Sequence, residues 1–363
     1  MAKQNELILF TPGPVMMSCS TKNKGSFQVP YFRNEEFSSI MKNVETDILE
    51  VVNAKPGSRV ITLTSSGTGA MDASVAGIIT NDDVSLVING GSFGNRFYEI
   101  LSHYRFRNIN HCLEYGKALN VDELDQYQDL QITTLFVNHN ETSTGNLYDL
   151  HSINEFCVSK DLFFVVDAIG SFLADPIDLS KLDVDVLIIS SHKGLALPPG
   201  LSFLVLSERA ITRIHRTTSR SYYFDLKKAL ADNERGQTPW TPALSIIYQL
   251  EDKLRFIKKK GVNQCVSDTM ELANDFRDKI SSLPLTLFSE SPSNAVTALK
   301  ITNEILHPEF IIERLLSDWN IYACPNGGEL GKIIFRIGHL GDLSTSDNTK
   351  LITALTIIFG EVK

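Results

Sequence analysis

A chain of 363 residues with 43% hydrophobic and 21% charged residues has the balance of a water-soluble enzyme, and it is long enough for two cores. Its formal net charge of −9 argues against a general nucleic-acid binder. No apolar run approaches the ~18 residues a bilayer span needs, and Met1-Ala2-Lys3-Gln4-Asn5-Glu6 carries no hydrophobic leader, so no membrane partner is expected.

In chain order, strand and helix signals alternate from about residue 58 to 206. Strands are expected at Val60 to Thr64, Val84 to Ile88, Thr133 to Val137, Leu162 to Val166, Val186 to Ile189 and Ser202 to Leu206. Each is a continuous apolar or β-branched run, as in a parallel sheet covered by helices on both faces. Leu150 to Ser159 reads as a covering helix, with Leu150, Ile153, Phe156 and Cys157 on one face. Arg213 to Thr241 is polar and turn-rich, and holds Pro239-Trp240-Thr241-Pro242. Leu244 to Lys260 reads as a long helix stopped at Gly261. Beyond about residue 262 a second α/β unit is expected, with helices near 264–281 and 308–318 and strands near 295–300 and 332–337. The implied division is an N-terminal segment near the active site (1–20), a large cofactor-binding domain (21–255) and a small C-terminal domain (256–363). Five scattered cysteines, Cys19, Cys112, Cys157, Cys265 and Cys324, form no CxxC pair. Neither a disulfide framework nor a metal site is therefore expected, and a reducing cytoplasm fits.

The chemistry sits where apolar strands end. Val165-Val166 runs into Asp167, and Ile188-Ile189 runs through Ser190-Ser191-His192 into Lys193. Parallel strands present their ligand chemistry at these C-terminal ends. A buried carboxylate and a buried amine placed there are what pyridoxal 5'-phosphate needs: an amine for its aldehyde and a counter-charge for its ring nitrogen. Shelter from water lowers a lysine's pKa and makes it a nucleophile and base. A surface lysine and a helix-capping aspartate are the plain alternatives, and the pairing of the two favours the cofactor.

Thr64-Ser65-Ser66-Gly67-Thr68-Gly69 follows a strand and opens a helix, a junction suited to an anion, with Ser66 and Thr68 adding hydroxyl donors. It is no dinucleotide fingerprint, because Asp72 stands where a third glycine would fall, and it lacks the lysine of a P-loop. Phe93, in a glycine-rich turn after the next strand, offers a flat ring for stacking. Thr142, in His139-Asn140-Glu141-Thr142-Ser143-Thr144-Gly145, offers a hydroxyl. Arg336, in Phe335-Arg336-Ile337-Gly338, offers a guanidinium fork for a carboxylate or phosphonate.

Together these segments resemble the class V, fold-type I pyridoxal-phosphate aminotransferases along nearly the whole chain. Within them the chain is most similar to the group holding the alanine–glyoxylate (serine–pyruvate) and 2-aminoethylphosphonate–pyruvate enzymes. The resemblance runs from Thr11-Pro12-Gly13-Pro14-Val15 through Ser66-Gly67-Thr68, Glu141 to Gly145, Val166-Asp167 and His192-Lys193 to Phe335-Arg336-Ile337-Gly338. It implies an α/β fold, with a large domain built on a mainly parallel sheet covered by helices and a smaller C-terminal α/β domain. It also implies Lys193 as the Schiff-base residue, Asp167 at the pyridine nitrogen, and Ser66, Gly67 and Thr68 at the phosphate. Phe93, Thr142 and His192 would contact the cofactor, and Arg336 and Gly13 the substrate. A homodimer is implied too, with Thr241 of one subunit reaching the other's phosphate. His192 stands where some relatives carry Gln or Asn, and Phe93 where some carry Trp, which bears on substrate choice more than on reaction type.

The implied reaction is transamination between a small amino donor (alanine, serine or 2-aminoethylphosphonate type) and a 2-oxo acid such as pyruvate or glyoxylate. Three other readings were weighed. A cysteine-desulfurase-like lyase would use Cys324, expected in a loop before Arg336; a catalytically silent regulatory relative would have lost a site residue. A nicotinamide dehydrogenase would need an acidic residue where Asn89-Gly90 ends a strand. Arg220, in Ser219 to Leu226, is a weak pointer to a doubly charged acid group, from a segment expected to border a neighbouring subunit's site.

Overall fold

A computed structural model describes residues 7–302 and 306–361. Met1 to Glu6, the start of the expected 1–20 segment, lie outside the described residues. The central sheet has seven strands in the spatial order Arg59–Leu63, Ser202–Leu206, Val186–Ser190, Phe163–Asp167, Thr134–Asn138, Val84–Asn89 and Arg107–Cys112. Neighbours from Val186–Ser190 to Arg107–Cys112 pair in parallel. Strands buried on both faces send alternate side chains into two cores. Phe164 and Val166 join one, with helices Glu35–Val51, Leu150–Ser159 and Leu244–Lys260. Phe163 and Val165 join the other, with helices Gly67–Ile78, Ser92–His103, Glu208–Arg216 and Leu226–Glu234.

Two expectations need correction. Ser202–Leu206 runs antiparallel to both its neighbours, Val186–Ser190 and Arg59–Leu63. An apolar run buried on both faces reads the same in either direction, so only the short connection after Lys193 reverses it. The stretch Arg213 to Thr241 is also less turn-like than its composition: it contains the end of one helix and all of Leu226–Glu234, which Asp225 caps through its carboxylate.

A second sheet of five strands is ordered Ile8–Phe10, Ile321–Pro325, Ile334–Gly338, Val296–Ile301 and Leu285–Leu287. Helices Val262–Lys279, Pro308–Trp319 and Thr345–Gly360 close a third core against it. The N-terminal strand thus belongs to the C-terminal sheet, paired in parallel with Ile321–Pro325. The Leu244–Lys260 helix runs unbroken through positions 255 and 256 on its way to that unit.

After Ile8–Phe10 the chain crosses the end of the Ile334–Gly338 strand so closely that a Cβ on Gly338 would overlap the Thr11 carbonyl and lie 2.6 Å from Pro12 N. This contact aims the following Gly13 at Lys193. Gly338→Ala must push backbone against backbone, so it is expected to destabilise the protein by about 1–3 kcal/mol in urea unfolding and to lower the occupancy of the Lys193 site. An unchanged unfolding midpoint would contradict this packing.

Candidate active site

Lys193 sits in the reversing turn between Val186–Ser190 and Ser202–Leu206. Backbone and side-chain bonds hold that turn from several sides: Ser191 N–H donates to Leu201 O at 2.9 Å, Ala196 N–H to Lys193 O at 2.8 Å, and Ser191 Oγ to Pro198 O at 2.7 Å. The lysine is 7% exposed. Burial, then the nearby Arg336 guanidinium, lower its pKa to about 8, against the weaker opposing pull of Cys324 and Asp167. Gly13 (φ +145°) leans over the side chain, and a Cβ there would lie 2.7 Å from Lys193 Cε. Glycine is therefore required on both counts, conformation and space.

Asp167 ends the adjacent parallel strand, 4% exposed, and accepts the Ile169 N–H at 2.8 Å. Burial raises its pKa to about 7; the Ile169 N–H and the charges of Lys193 and Arg96 pull the other way. Ile169 in turn fills the space beside Gly67, where a Cβ would meet its side chain. The Ser66-Gly67-Thr68 junction thus lies next to the Asp167 strand end. Ser66 precedes helix Gly67–Ile78, is exposed, and makes no side-chain cap bond, leaving its hydroxyl and the first helical N–H groups open to an anion.

Arg336 projects from the second sheet into the same place, 9% exposed. Its Nη1 donates to Thr142 O at 3.2 Å and its Nη2 to Pro325 O, with Cys324 Sγ 3.2 Å from Nη2. Asn326 Nδ2 donates to Ser143 O at 2.6 Å, a second tie between the sheets. Thr142 itself is buried, its hydroxyl donating to Asn140 Oδ1 at 2.9 Å. His192 is half-buried with its Nδ1 3.0 Å from Ser190 Oγ, and burial, then the adjacent Lys193, lower its pKa to about 4, so the ring is neutral.

Two residues of this neighbourhood were not singled out from the sequence. Glu141, fully buried, accepts the N–H groups of Phe93 (3.2 Å) and Gly94 (2.8 Å) at the start of helix Ser92–His103, Asn138 Nδ2 (2.9 Å), and both the N–H and hydroxyl of Ser143. Arg96 lies over the Phe93 ring, 4.7 Å from its centroid, and donates to Thr68 Oγ1 at 3.0 Å. Its place one turn into a helix beginning at Ser92 was the available signal.

The structure thus brings Gly13, Gly67, Thr68, Phe93, Thr142, Asp167, His192, Lys193 and Arg336 into one neighbourhood. Thr241 is exposed and bonds to none of them, although Ala243 N–H, two residues on, donates to Thr64 Oγ1 at 3.2 Å. One reading is corrected: Cys324 is no loop residue but lies in strand Ile321–Pro325, register-paired with Arg336. Arg220 makes contacts within its own chain. It stacks over Phe106 at 4.0 Å and donates to Tyr104 O and Asn81 Oδ1, and its N–H bonds Ala76 O, about 15 Å along the helix from the Ser66 end.

The chain matches a family model described as aminotransferase class-V over residues 20–324. It is 30% identical to an uncharacterized aminotransferase of Methanocaldococcus jannaschii, over 92% of this chain and 88% of that protein. A serine–glyoxylate aminotransferase of Methylorubrum extorquens is 24% identical, with 93% and 87% covered. Among solved structures, an alanine–glyoxylate aminotransferase from Nostoc superposes with a TM-score of 0.92 at 25% identity, over 98% of this chain and 96% of that one.

Reductive methylation of the cofactor-free protein, read on the peptide holding Lys193, should rise with pH through a midpoint near 8 and level off above it, where the amine is free. Arg336→Gln removes the charge that opposes protonation, so the midpoint should move up. A midpoint near the ordinary lysine value in the parent protein would refute the electrostatics described here.

Proposed function

This chain belongs to the class-V aminotransferases, and on that premise we propose that it moves the amino group of a small donor to a 2-oxo acid such as pyruvate or glyoxylate, with pyridoxal 5'-phosphate as cofactor. Alanine, serine and 2-aminoethylphosphonate define the donor type. The observation that carries the reading is a buried amine at Lys193, its pKa lowered to about 8, between a buried carboxylate and a buried guanidinium on different sheets.

The residues fit the cofactor. Ser66 with the N–H groups of Gly67 and Thr68 suits its phosphate, and the half-buried Phe93, with Arg96 over it, would offer an aromatic contact to the ring. Bound there, the cofactor supplies an aldehyde carbon for amines and a ring that takes up the electrons left when a donor loses its α-proton. Lys193 Nζ would hold the cofactor's aldehyde end and, with a pKa lowered to about 8, would serve as the base that takes the donor's α-proton and returns it. The Asp167 carboxylate would keep a proton on the ring nitrogen; the positive charge placed against it would offset the burial that otherwise raises its pKa. Arg336 and Gly13 border the substrate, with the guanidinium taking the acid group. Thr142 and His192 complete the contacts around the ring.

The reading extends to a homodimer in which Thr241 reaches the partner's phosphate site. It is supported by the exposure of Thr241 beside an exposed aromatic set: Tyr222 is 83% exposed, and Tyr223 stacks on Trp240 at 5.9 Å. A cytoplasmic setting goes with cysteines that are all free. No described helix is long and apolar enough to cross a membrane. The desulfurase-like alternative loses its mobile loop, because Cys324 is fixed in a strand.

Cofactor-loaded protein should be mixed with alanine, serine, aspartate, phosphoserine or 2-aminoethylphosphonate, one at a time and without an oxo acid. One donor should convert the cofactor's absorbance to that of its amine form, and Lys193→Ala should lose turnover altogether. A loaded protein that no donor converts, or a Lys193→Ala variant with parent rates, would remove the aminotransfer reading. Arg336→Gln should lower kcat/KM by about thirtyfold or more, the 2–5 kcal/mol typical of truncating one member of a buried charge pair.

A further inference from the structure

A cavity of about 430 Å³ lies apart from the cofactor neighbourhood, between the Cys19–Lys24 helix, the C-terminal half of Leu244–Lys260, helix Val262–Lys279 and residues 339–343. Two of its wall residues have polar groups without an acceptor. Lys253 is the first. The other lysines on the rim are matched, Lys24 with Asp252 at 3.3 Å and Lys260 with Asp268. Asp252 also takes Arg255, and Asp268 also takes Gln264. No carboxylate of the described residues lies within ion-pair distance of Lys253; its recorded contact is the Phe256 ring at 5.4 Å. Burial lowers its pKa, with Cys265 and the exposed Asp342 close enough to oppose that and Lys260 adding to it. Cys265 is no counter-ion, because burial pushes its thiol up and keeps it neutral.

His339 is the second, 1% exposed and held neutral by burial beside Arg277. Its Nε2 lies 2.7 Å from Thr297 Oγ1. That hydroxyl already accepts Arg277 Nε at 3.1 Å and has no other acceptor for its own proton, so it donates to His339 Nε2. The ring proton must then be on Nδ1, which is buried and has no partner among the described residues. An unmet buried donor of this kind costs about 1–3 kcal/mol. The Lys253 side chain and the buried His339 thus share the wall of one cavity with Leu173, Leu272, Leu340 and Asp342.

We infer that this cavity is a second ligand site, for a small aliphatic monocarboxylate whose oxygens accept from Lys253 and whose body packs on the leucines. The volume is within the range of small-molecule sites. Gly194 and Ala196, just after Lys193, and Leu340 and Gly341, just after Arg336, also line it, so a ligand here touches both chain segments that carry the reacting centre. The inference stands on its own residues, independent of the aminotransfer chemistry.

Cys265 lines the cavity and reports its occupancy. Cofactor-loaded protein should be labelled with iodoacetamide at constant ionic strength, with and without isobutyrate, which has neither an amino nor an oxo group to react with the cofactor; the Lys253 variants separate binding in this cavity from any carboxylate contact at Arg336. Labelling is read by mass spectrometry on the Cys265 peptide, with exposed Cys112 as the internal control. Isobutyrate at ~10 times its Kd should slow Cys265 labelling about tenfold and leave Cys112 unchanged. Lys253→Met should lose that protection and Lys253→Arg should keep it. Equal rates with and without isobutyrate would mean that water alone satisfies the cavity, and equal protection in Lys253→Met would mean that the ammonium does not bind the acid; either result overturns the inference.

Discussion

The constraint on which the site depends is the burial of an amine beside a guanidinium. In water, Lys193 and Arg336 would both be charged and would move apart. Here the first is fixed at the end of a strand of the large sheet and the second within a strand of the small one. Desolvation and mutual repulsion then fall on the lysine, because a guanidinium does not give up its proton at accessible pH. This works only if the lysine cannot swing out to water. Ser191, bonded through N–H, carbonyl and hydroxyl to Leu201, Leu197 and Pro198, removes that freedom. The rigidity of the turn is thus a chemical requirement as well as a structural one.

A second buried charge organises the other side. Glu141 gathers donors from three segments, including the start of helix Ser92–His103, where a carboxylate is stabilised by the helix dipole as well as by its hydrogen bonds. Because the same carboxylate binds both Phe93 N–H and Ser143, it sets Phe93 and the Thr142–Ser143 loop in one frame. Arg96 extends the frame from Phe93 to Thr68, and Arg336 extends it from Thr142 to the second sheet. A continuous polar path therefore runs from the Ser66–Thr68 junction to the Arg336 guanidinium.

Legibility followed burial. The six apolar strands could be read because both faces of each are covered, and Leu150–Ser159 and Leu244–Lys260 because their stripes and stops are clear. Arg107–Cys112 could not: at the sheet's edge it keeps polar residues facing solvent, and its pattern is that of a loop. The direction of Ser202–Leu206 left no trace in composition. Leu226–Glu234 was hidden by its charge, although its capping Asp225 was in plain view. Among site residues, those ending strands were found because a polar residue after an apolar run is conspicuous. Arg96 and Glu141 act through partners that only the folded chain brings near, and Cys324 was misplaced because Pro325 and the glycines after it read as a loop.

The guanidinium itself carries the last step of the argument. Nη1 and Nη2 of Arg336 are engaged by backbone carbonyls and the Cys324 sulfur, yet Nε is buried with no partner among the described residues. The engaged nitrogens hold the plane of the fork, and the spare donor is left with an unmet cost of about 1–3 kcal/mol. On the proposed reading, a substrate's acid group would pair with this guanidinium, a charge that, among described residues, has no carboxylate within ion-pair distance. The guanidinium would then favour donors that carry an acid group, because a neutral amine of the same size would leave its charge uncompensated beside Lys193. Discrimination between acidic and neutral donors would then come from the same buried charge that lowers the lysine's pKa.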